Sequence, residues 1–256
     1  MLNEVKEMKS LLSVDLAGKM AHFRKFYANS SSLSYPFPPR TTIAGMLAAI
    51  LGKERDGYYS LFSLEKAKIG IRIMKPGRTI MQTVNYLDTD KEGISKFLDG
   101  NRMRTQVPLE IIFPMDLDSV LIYRIFFMHE DHGIIKEIYS MANEQRTRFP
   151  LYFGLTEFTA WIQKVYLYEK EDFEIRHNNG KEAKIFTVLP INYIEEFSNI
   201  ESGLRIHKDR IPIDFTSERQ LKRADSVIWE AVGKPLKLKV RGEIFKTPEE
   251  CGVFLE

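Results

Sequence analysis

FRKFYANSSSLSYPFPPRTTIAGMLAAILG, residues 23–52, is the stretch from which the rest of the chain is read. Pro38 and Pro39 keep the backbone extended and prevent an earlier helix start. Thr41 or Thr42 is placed to cap a helix by accepting a bond from a free backbone N–H. The helix then runs over residues 43–51, and Gly52 is its natural stop. Gly45, Ala48 and Ala49 share one face with almost no side chain, so something is expected to approach it closely. Free N–H groups at the helix start, with Arg40 beside them, have the geometry that binds phosphate. No carboxylate occurs between Asp15 and Glu54, while Lys19, Arg24, Lys25, Arg40 and Lys53 fall in that window. Cations, aromatic rings (Phe23, Tyr35, Phe37) and the hydroxyls of Ser30, Ser31 and Ser32 together point to single-stranded nucleic acid. The same aromatics and prolines also fit the edge of a core, and a serine run fits a plain loop.

Whole-chain totals leave that choice to local distribution. Lys plus Arg is 37 against 35 Asp plus Glu, a net charge of +2, which by itself does not argue for a polyanionic partner. With 256 residues and 44% hydrophobic content, the chain suits one large domain or two small ones with a real core. Cys251 is alone, so no intramolecular disulfide or cysteine metal cluster is expected, as in a reducing cytoplasm. The histidines (22, 129, 132, 177, 207) never stand four apart on a helix, and no Gly-rich nucleotide loop occurs; no metal and no cofactor is expected. The opening Met1-Leu2-Asn3-Glu4 does not read as a signal peptide. The longest apolar run, residues 43–51, is too short to span a bilayer. A cytoplasmic protein with no membrane contact is expected.

Outward from the quoted stretch, periodicity gives the elements. Leu12, Val14 and Leu16 alternate as a first strand, and Ile69, Ile71 and Ile73 as a second. Residues 78–87 and 107–113 form two strand-like arms around a polar tip, a hairpin inserted at about 77–112. Residues 120–128 are the most apolar strand and should be central. Asp131 caps a helix over 133–145 with a buried stripe of Ile134, Ile138, Met141 and Ala142. Strands are expected at 150–154 and 160–168. The order β–α–β, hairpin, β–α–β is that of an α+β, ferredoxin-like (split βαβ) domain over 1–168. Residues 169–256 read as a smaller β-rich unit. There His177-Asn178-Asn179-Gly180 looks like a tight loop, 185–189 a short strand, and 192–223 irregular. A last strand carries Leu236, Leu238, Val240 and Ile244 on one face and Lys237, Lys239 and Arg241 on the other. That basic face fits either a solvated sheet surface or one that tracks a nucleic-acid backbone.

The quoted stretch, just after the first strand, resembles the N-terminal signature of the fifth CRISPR-associated protein family, of the repeat-associated RNA-binding (RAMP) superfamily. Phe149-Pro150-Leu151-Tyr152-Phe153-Gly154 resembles its mid-chain pattern, and residues 229–243 its C-terminal portion. The resemblance implies a non-catalytic subunit of a type I, I-B-like, interference complex (Cascade) in antiviral defence. Such a subunit grips the 5′ handle of the guide crRNA and caps the backbone. Its partners are the crRNA, the backbone subunit, the large subunit and, through the complex, target DNA. On that basis Arg24, Lys25 and Arg40 are assigned to phosphates, and Phe23, Tyr35 and Phe37 to stacking. Ser30, Ser31, Ser32, Thr41 and Thr42 are assigned to hydrogen bonds with phosphate or ribose. The hairpin resembles the family's thumb, with Arg78, Arg102 and Arg104 facing the guide–target duplex. One branch of the family is a metal-independent endoribonuclease that uses Tyr, Lys and His. Tyr35 falls at its tyrosine position, but residues 104–113 hold neither Lys nor His, and the only adjacent His-Lys is His207-Lys208.

Overall fold

The most apolar run of the chain lies inside the sheet, as its composition requires. A computed structural model describes residues 8–28, 32–87, 91–100, 104–198 and 202–256. Strand β1 (Leu11–Gly18) is followed by two short strands, β2 (Phe23–Arg24) and β3 (Ser34–Tyr35), and by helix α1 (Arg40–Leu51). Gly52 ends α1 in the left-handed region, φ 70°, with its N–H turned back to the carbonyls of Ala48 and Ala49. Next come β4 (Ala67–Lys75), β5 (Gly77–Leu87), α2 (Lys91–Leu98) and β6 (Arg104–Pro114). Then β7 (Leu121–His129), α3 (His132–Asn143) and β8 (Ala160–Tyr168) follow. Strands β4, β7, β1 and β8 form one sheet in that order, every neighbouring pair antiparallel. Helices α1 and α3 cover one face, where Leu12, Val14, Leu16, Leu47, Ile125 and Ile138 share the main core.

The expected hairpin exists. Strands β5 and β6 pair from Gly77↔Pro114 to Leu87↔Arg104, with α2 at the tip. Its base is tied back to the signature stretch through Ser32↔Leu109, and to the residues just before that stretch through Ala21↔Ile112. Leu109, Ile111 and Ile112 are buried there.

The C-terminal half covers the other face of the first sheet. It comprises β9 (Glu174–Ile185), β10 (Leu189–Pro190), β11 (Ile194–Phe197), β12 (Ile206–Phe215), β13 (Leu221–Glu230), β14 (Leu236–Lys246) and β15 (Cys251–Gly252). Phe245 and Phe254 pack on Leu11, Phe126 and Met128. The charged residues of the strand alternation lie under this layer and are paired. The Arg124 guanidinium bonds Asp15 at 2.7 Å and also reaches Glu250, which takes Arg72 as well. A buried charge needs such partners. Backbone N–H groups of Val188 and Leu255 bond the Ile71 and Ile69 carbonyls along the edge of β4. On the helix side, Ile211, Ile213, Val227 and Trp229 enter the main core.

Several local expectations are corrected. Pro39, extended at ψ 161°, is the boundary of α1, and no side chain caps it; the helix starts at Arg40, so Thr41 and Thr42 lie inside its first turn. Asp131 does cap α3, accepting from Gly133 N–H, but Ile135 rather than Ile134 is fully buried. Residues 150–154 form bends and one isolated bridge rather than a strand. Residues 177–180 run within β9, and Gly180 is the extra residue of a bulge opposite Val240 and Arg241. Residues 186–188 are not strand, and much of 192–223 is strand, including all of β12. Register breaks around Asp214 erase its alternation.

Candidate nucleic-acid interface

The signature stretch divides into an inward and an outward half. In β2 successive side chains point to opposite sides, so Phe23 enters the core and Arg24 faces out. Phe23 meets Tyr123 and Phe153 edge-on, with ring centroids 5.8 and 5.7 Å away. Tyr35 is fully buried; its hydroxyl donates to the Arg210 carbonyl at 2.6 Å, and burial pushes its pKa well up. Phe37 is buried against Trp229. These three rings have no face left for a base, which corrects their assignment to stacking and removes Tyr35 from the reach of a substrate.

Arg40 is corrected most sharply. It is 1% exposed and donates to the carbonyls of Phe62, Ser63, Ala67 and Ile213. Burial lowers its pKa to about 10, against the pull of Asp214. The guanidinium ties the start of α1 to the segment before β4 and to β12, so it is not a phosphate ligand. Lys25 is half-buried and ion-paired with Asp209 at 2.8 Å, with Tyr27 donating to the same carboxylate. Its assignment to phosphate is corrected too.

The outward half lines a cavity of about 1030 Å³. Its floor is the small face of α1, with Thr41, Thr42, Gly45, Ala48 and Ala49. The expectation that something approaches this face is met partly by the Tyr58 hydroxyl, 3.0 Å from where a Gly45 Cβ would be, and otherwise by open space. Arg24 and Ser32 line a second side; Tyr86 and Leu109 bring the hairpin to it. Phe149, Tyr152 and Leu155 line another, held by Gly154, whose φ of 90° and close approach to the His22 carbonyl leave no room for a Cβ. His22 donates from Nδ1 to the Glu110 carbonyl, 2.7 Å away, and burial lowers its pKa. The rim carries Arg24, Lys53, Arg55 and Arg219 against Glu54 and Asp56. Lys53 is exposed just past Gly52, and no acidic residue sits in the first turn of α1. Phe149 and Tyr152 are exposed aromatic faces beside these cations.

Of the remaining assignments, Ser30, Ser31 and Arg102 lie outside the described residues. Arg104 begins β6, and Arg78 stands at the start of β5, away from the cavity lining. The basic face of β14 is the solvated kind: Lys237 pairs with Glu182, Lys239 with Glu196 and Arg241 with Glu195. Among the described residues no three His, Cys, Asp or Glu side chains gather as a metal site would require, and no helix is long and apolar enough to cross a membrane.

Sequence reasoning missed Arg55, Asp56, Tyr58, Tyr86 and Arg219 as site residues. The Asp56-Gly57 pair was a turn signal. Nothing local marked Arg219, which reaches the rim from the turn between β12 and β13.

The model of the family described as CRISPR-associated protein (Cas_Cas5) matches residues 11–229. Among solved structures, a CRISPR protein from Archaeoglobus fulgidus superposes with a TM-score of 0.60 at 13% identity, over 96% of this chain and 98% of that one. A chain of a CRISPR RNA-guided surveillance complex reaches a TM-score of 0.49 at 13% identity, over 89% and 91% of the two chains. No curated protein sequence matches this chain.

Proposed function

The chain belongs to the Cas5 family of CRISPR-associated proteins, and from that premise we propose that it is a non-catalytic subunit of an RNA-guided interference complex of the Cascade type, holding the 5′ handle of the guide crRNA in the cavity above α1. The observation that carries this reading is the cavity itself. It joins a floor without bulky side chains, cationic rim residues and exposed aromatic faces in one concave surface. At about 1030 Å³ it lies at the upper end of small-molecule pockets and suits a segment of chain.

The strand order β4-β7-β1-β8, with α1 and α3 in the crossovers, supports naming the N-terminal part a split βαβ, ferredoxin-like unit. RNA-recognition domains of that architecture stack bases on the open sheet face. In this chain the sheet face is covered by the C-terminal strands, with Phe245 and Phe254 seated on it. That leaves the helix side as the RNA surface. Arg24 and Lys53 take phosphates, Phe149 and Tyr152 offer stacking faces, and Ser32, Thr41 and Thr42 donate to phosphate or ribose. The hairpin reaches from the cavity toward the backbone subunit, and target DNA is read by guide pairing in the assembled complex. The setting is antiviral defence in the cytoplasm, with the large subunit as a further partner.

Fluorescence anisotropy with a short single-stranded RNA and the duplex of the same sequence tests this. Preference for the single strand is expected, with a loss of about tenfold on Arg24→Ala. Equal affinity for any polyanion would overturn it. Metal-free incubation with precursor RNA should leave the RNA intact; specific cutting that Tyr35→Phe abolishes would make the protein a ribonuclease instead.

A further inference from the structure

Among the described residues, three other than glycine adopt a positive φ: Asp56, Gln145 and Arg219. Gln145 follows the end of α3, where a left-handed residue is ordinary, and Arg146 N–H bonds back to Met141 there. The other two have no such helix end to explain them. Asp56 is the third residue of the turn closed by Gly57 N–H on the Glu54 carbonyl, at φ 64°. That position in a type II turn favours glycine. Arg219 closes a three-residue hairpin loop between Thr216 and Gln220, at φ 62°. The left-handed place in such a loop also favours glycine. Two positions suited to glycine therefore carry opposite charges instead. Both line the cavity, and they meet: Arg219 Nε donates to Asp56 Oδ1 at 2.7 Å. Tyr59 donates to the same oxygen at 2.8 Å, and Arg55 Nε lies 3.8 Å from Asp56 Oδ2. Backbone strain retained at a ligand site is a pointer to function.

We propose that Arg219 and Arg55 form a phosphate-binding point at the cavity mouth, and that Asp56 stands in for an RNA phosphate there until the strand arrives. The proposal rests on the reading of the cavity as a single-stranded RNA site and specifies one of its subsites. A carboxylate and a phosphodiester offer a guanidinium the same pair of acceptor oxygens. The pair is solvent-accessible, with the Asp56 and Arg219 side chains 37% and 49% exposed, so exchange of one anion for another needs no buried rearrangement. The hydrogen bonds of Arg219 and Tyr59 hold the Asp56 carboxyl below the usual range, keeping it charged and able to compete. Arg219 comes from a hairpin distant in sequence from α1, so its exchange from Asp56 to RNA leaves the floor of the cavity untouched.

The test uses the full chain, a short single-stranded RNA and anisotropy titrations over a range of salt. Asp56→Asn tolerates the left-handed backbone and removes the competing charge. It is expected to bind several-fold more tightly, with a salt slope steeper by about 0.7 for each further phosphate neutralised. Arg219→Gly relieves its turn and removes the guanidinium. It is expected to bind several-fold more weakly, with a slope shallower by about 0.7. Equal weakening by both variants would make the pair a structural strut and overturn the proposal. So would wild-type affinity in both variants while Arg24→Ala still weakens binding; that result leaves the cavity as the RNA site. Failure of Arg24→Ala to weaken binding would instead remove the RNA reading, and this subsite with it.

Discussion

Arg40 and Arg24 stand in one acid-free stretch and do opposite work. Arg40 is sealed among four carbonyls and fixes where α1 begins. Arg24 faces the cavity, with one bond to the nearby Ala28 carbonyl at 3.3 Å. The same division runs through the described residues of the stretch. Phe23, Tyr35 and Phe37 build the core, while Ser32, Thr41, Thr42, Gly45 and Ala49 surround open space. A run of basic and aromatic residues thus holds two layers, one that positions and one that presents. Composition counts both alike; geometry separates them.

Substitution of the inner layer should cost stability and leave recognition alone. Arg40→Met removes the donors of four carbonyl bonds and is expected to destabilise by about 3 kcal/mol, read as a lower urea midpoint. The fraction still folded should bind RNA as before; an intact midpoint with weakened RNA binding would put Arg40 on the wrong side of the division. The outer layer should respond in reverse. Ala49→Leu fills the cavity floor and is expected to cut RNA affinity about tenfold while changing stability by less than about 1 kcal/mol. Undiminished affinity in that variant would mean that RNA does not enter the cavity.

How far this division was legible follows from how local each signal is. Gly52 as helix stop, the alternation of β1 and β14, and the hairpin arms depend on neighbours in sequence, and they form as read. The direction of Arg40 depends on carbonyls at 62, 63, 67 and 213, which no window around residue 40 contains. The helix also starts ahead of both threonines, so the capping signal pointed to the wrong residue. Asn179-Gly180 reads as a turn but serves as a bulge, because β14 continues along both sides of it. The lysines of β14 became an ordinary solvated face once Glu182, Glu195 and Glu196 arrived from β9 and from β11. At the cavity, Arg24 and Lys53 come from the acid-free window and line the rim, whereas Arg219 comes from a turn that folding alone delivers.

A smaller effect probes the seam between the layers. His22 lines the cavity and bonds the Glu110 carbonyl, and burial holds its folded pKa below the ordinary value of 6.5. Above that value both folded and unfolded imidazoles are neutral, and the group contributes no pH dependence. As pH falls below it the unfolded chain takes up the proton first, so stability declines until the lowered folded pKa is reached. His22→Asn, whose amide keeps a donor for the Glu110 carbonyl, should flatten that decline in thermal unfolding followed between about pH 7.5 and 5. A wild-type and variant decline of equal slope would assign the pH dependence elsewhere.

The two kinds of surface lysine give the most direct comparison. Lys53 is exposed at the cavity rim, and Lys239 is paired with Glu196 on the face of β14. Salt-dependent anisotropy titration of a short single-stranded RNA against Lys53→Ala and Lys239→Ala measures which surface carries the strand. Weaker binding and a slope shallower by about 0.7 are expected for Lys53→Ala, with Lys239→Ala like the wild type. The reverse pattern, or equal losses at both positions, would contradict the cavity as the RNA site.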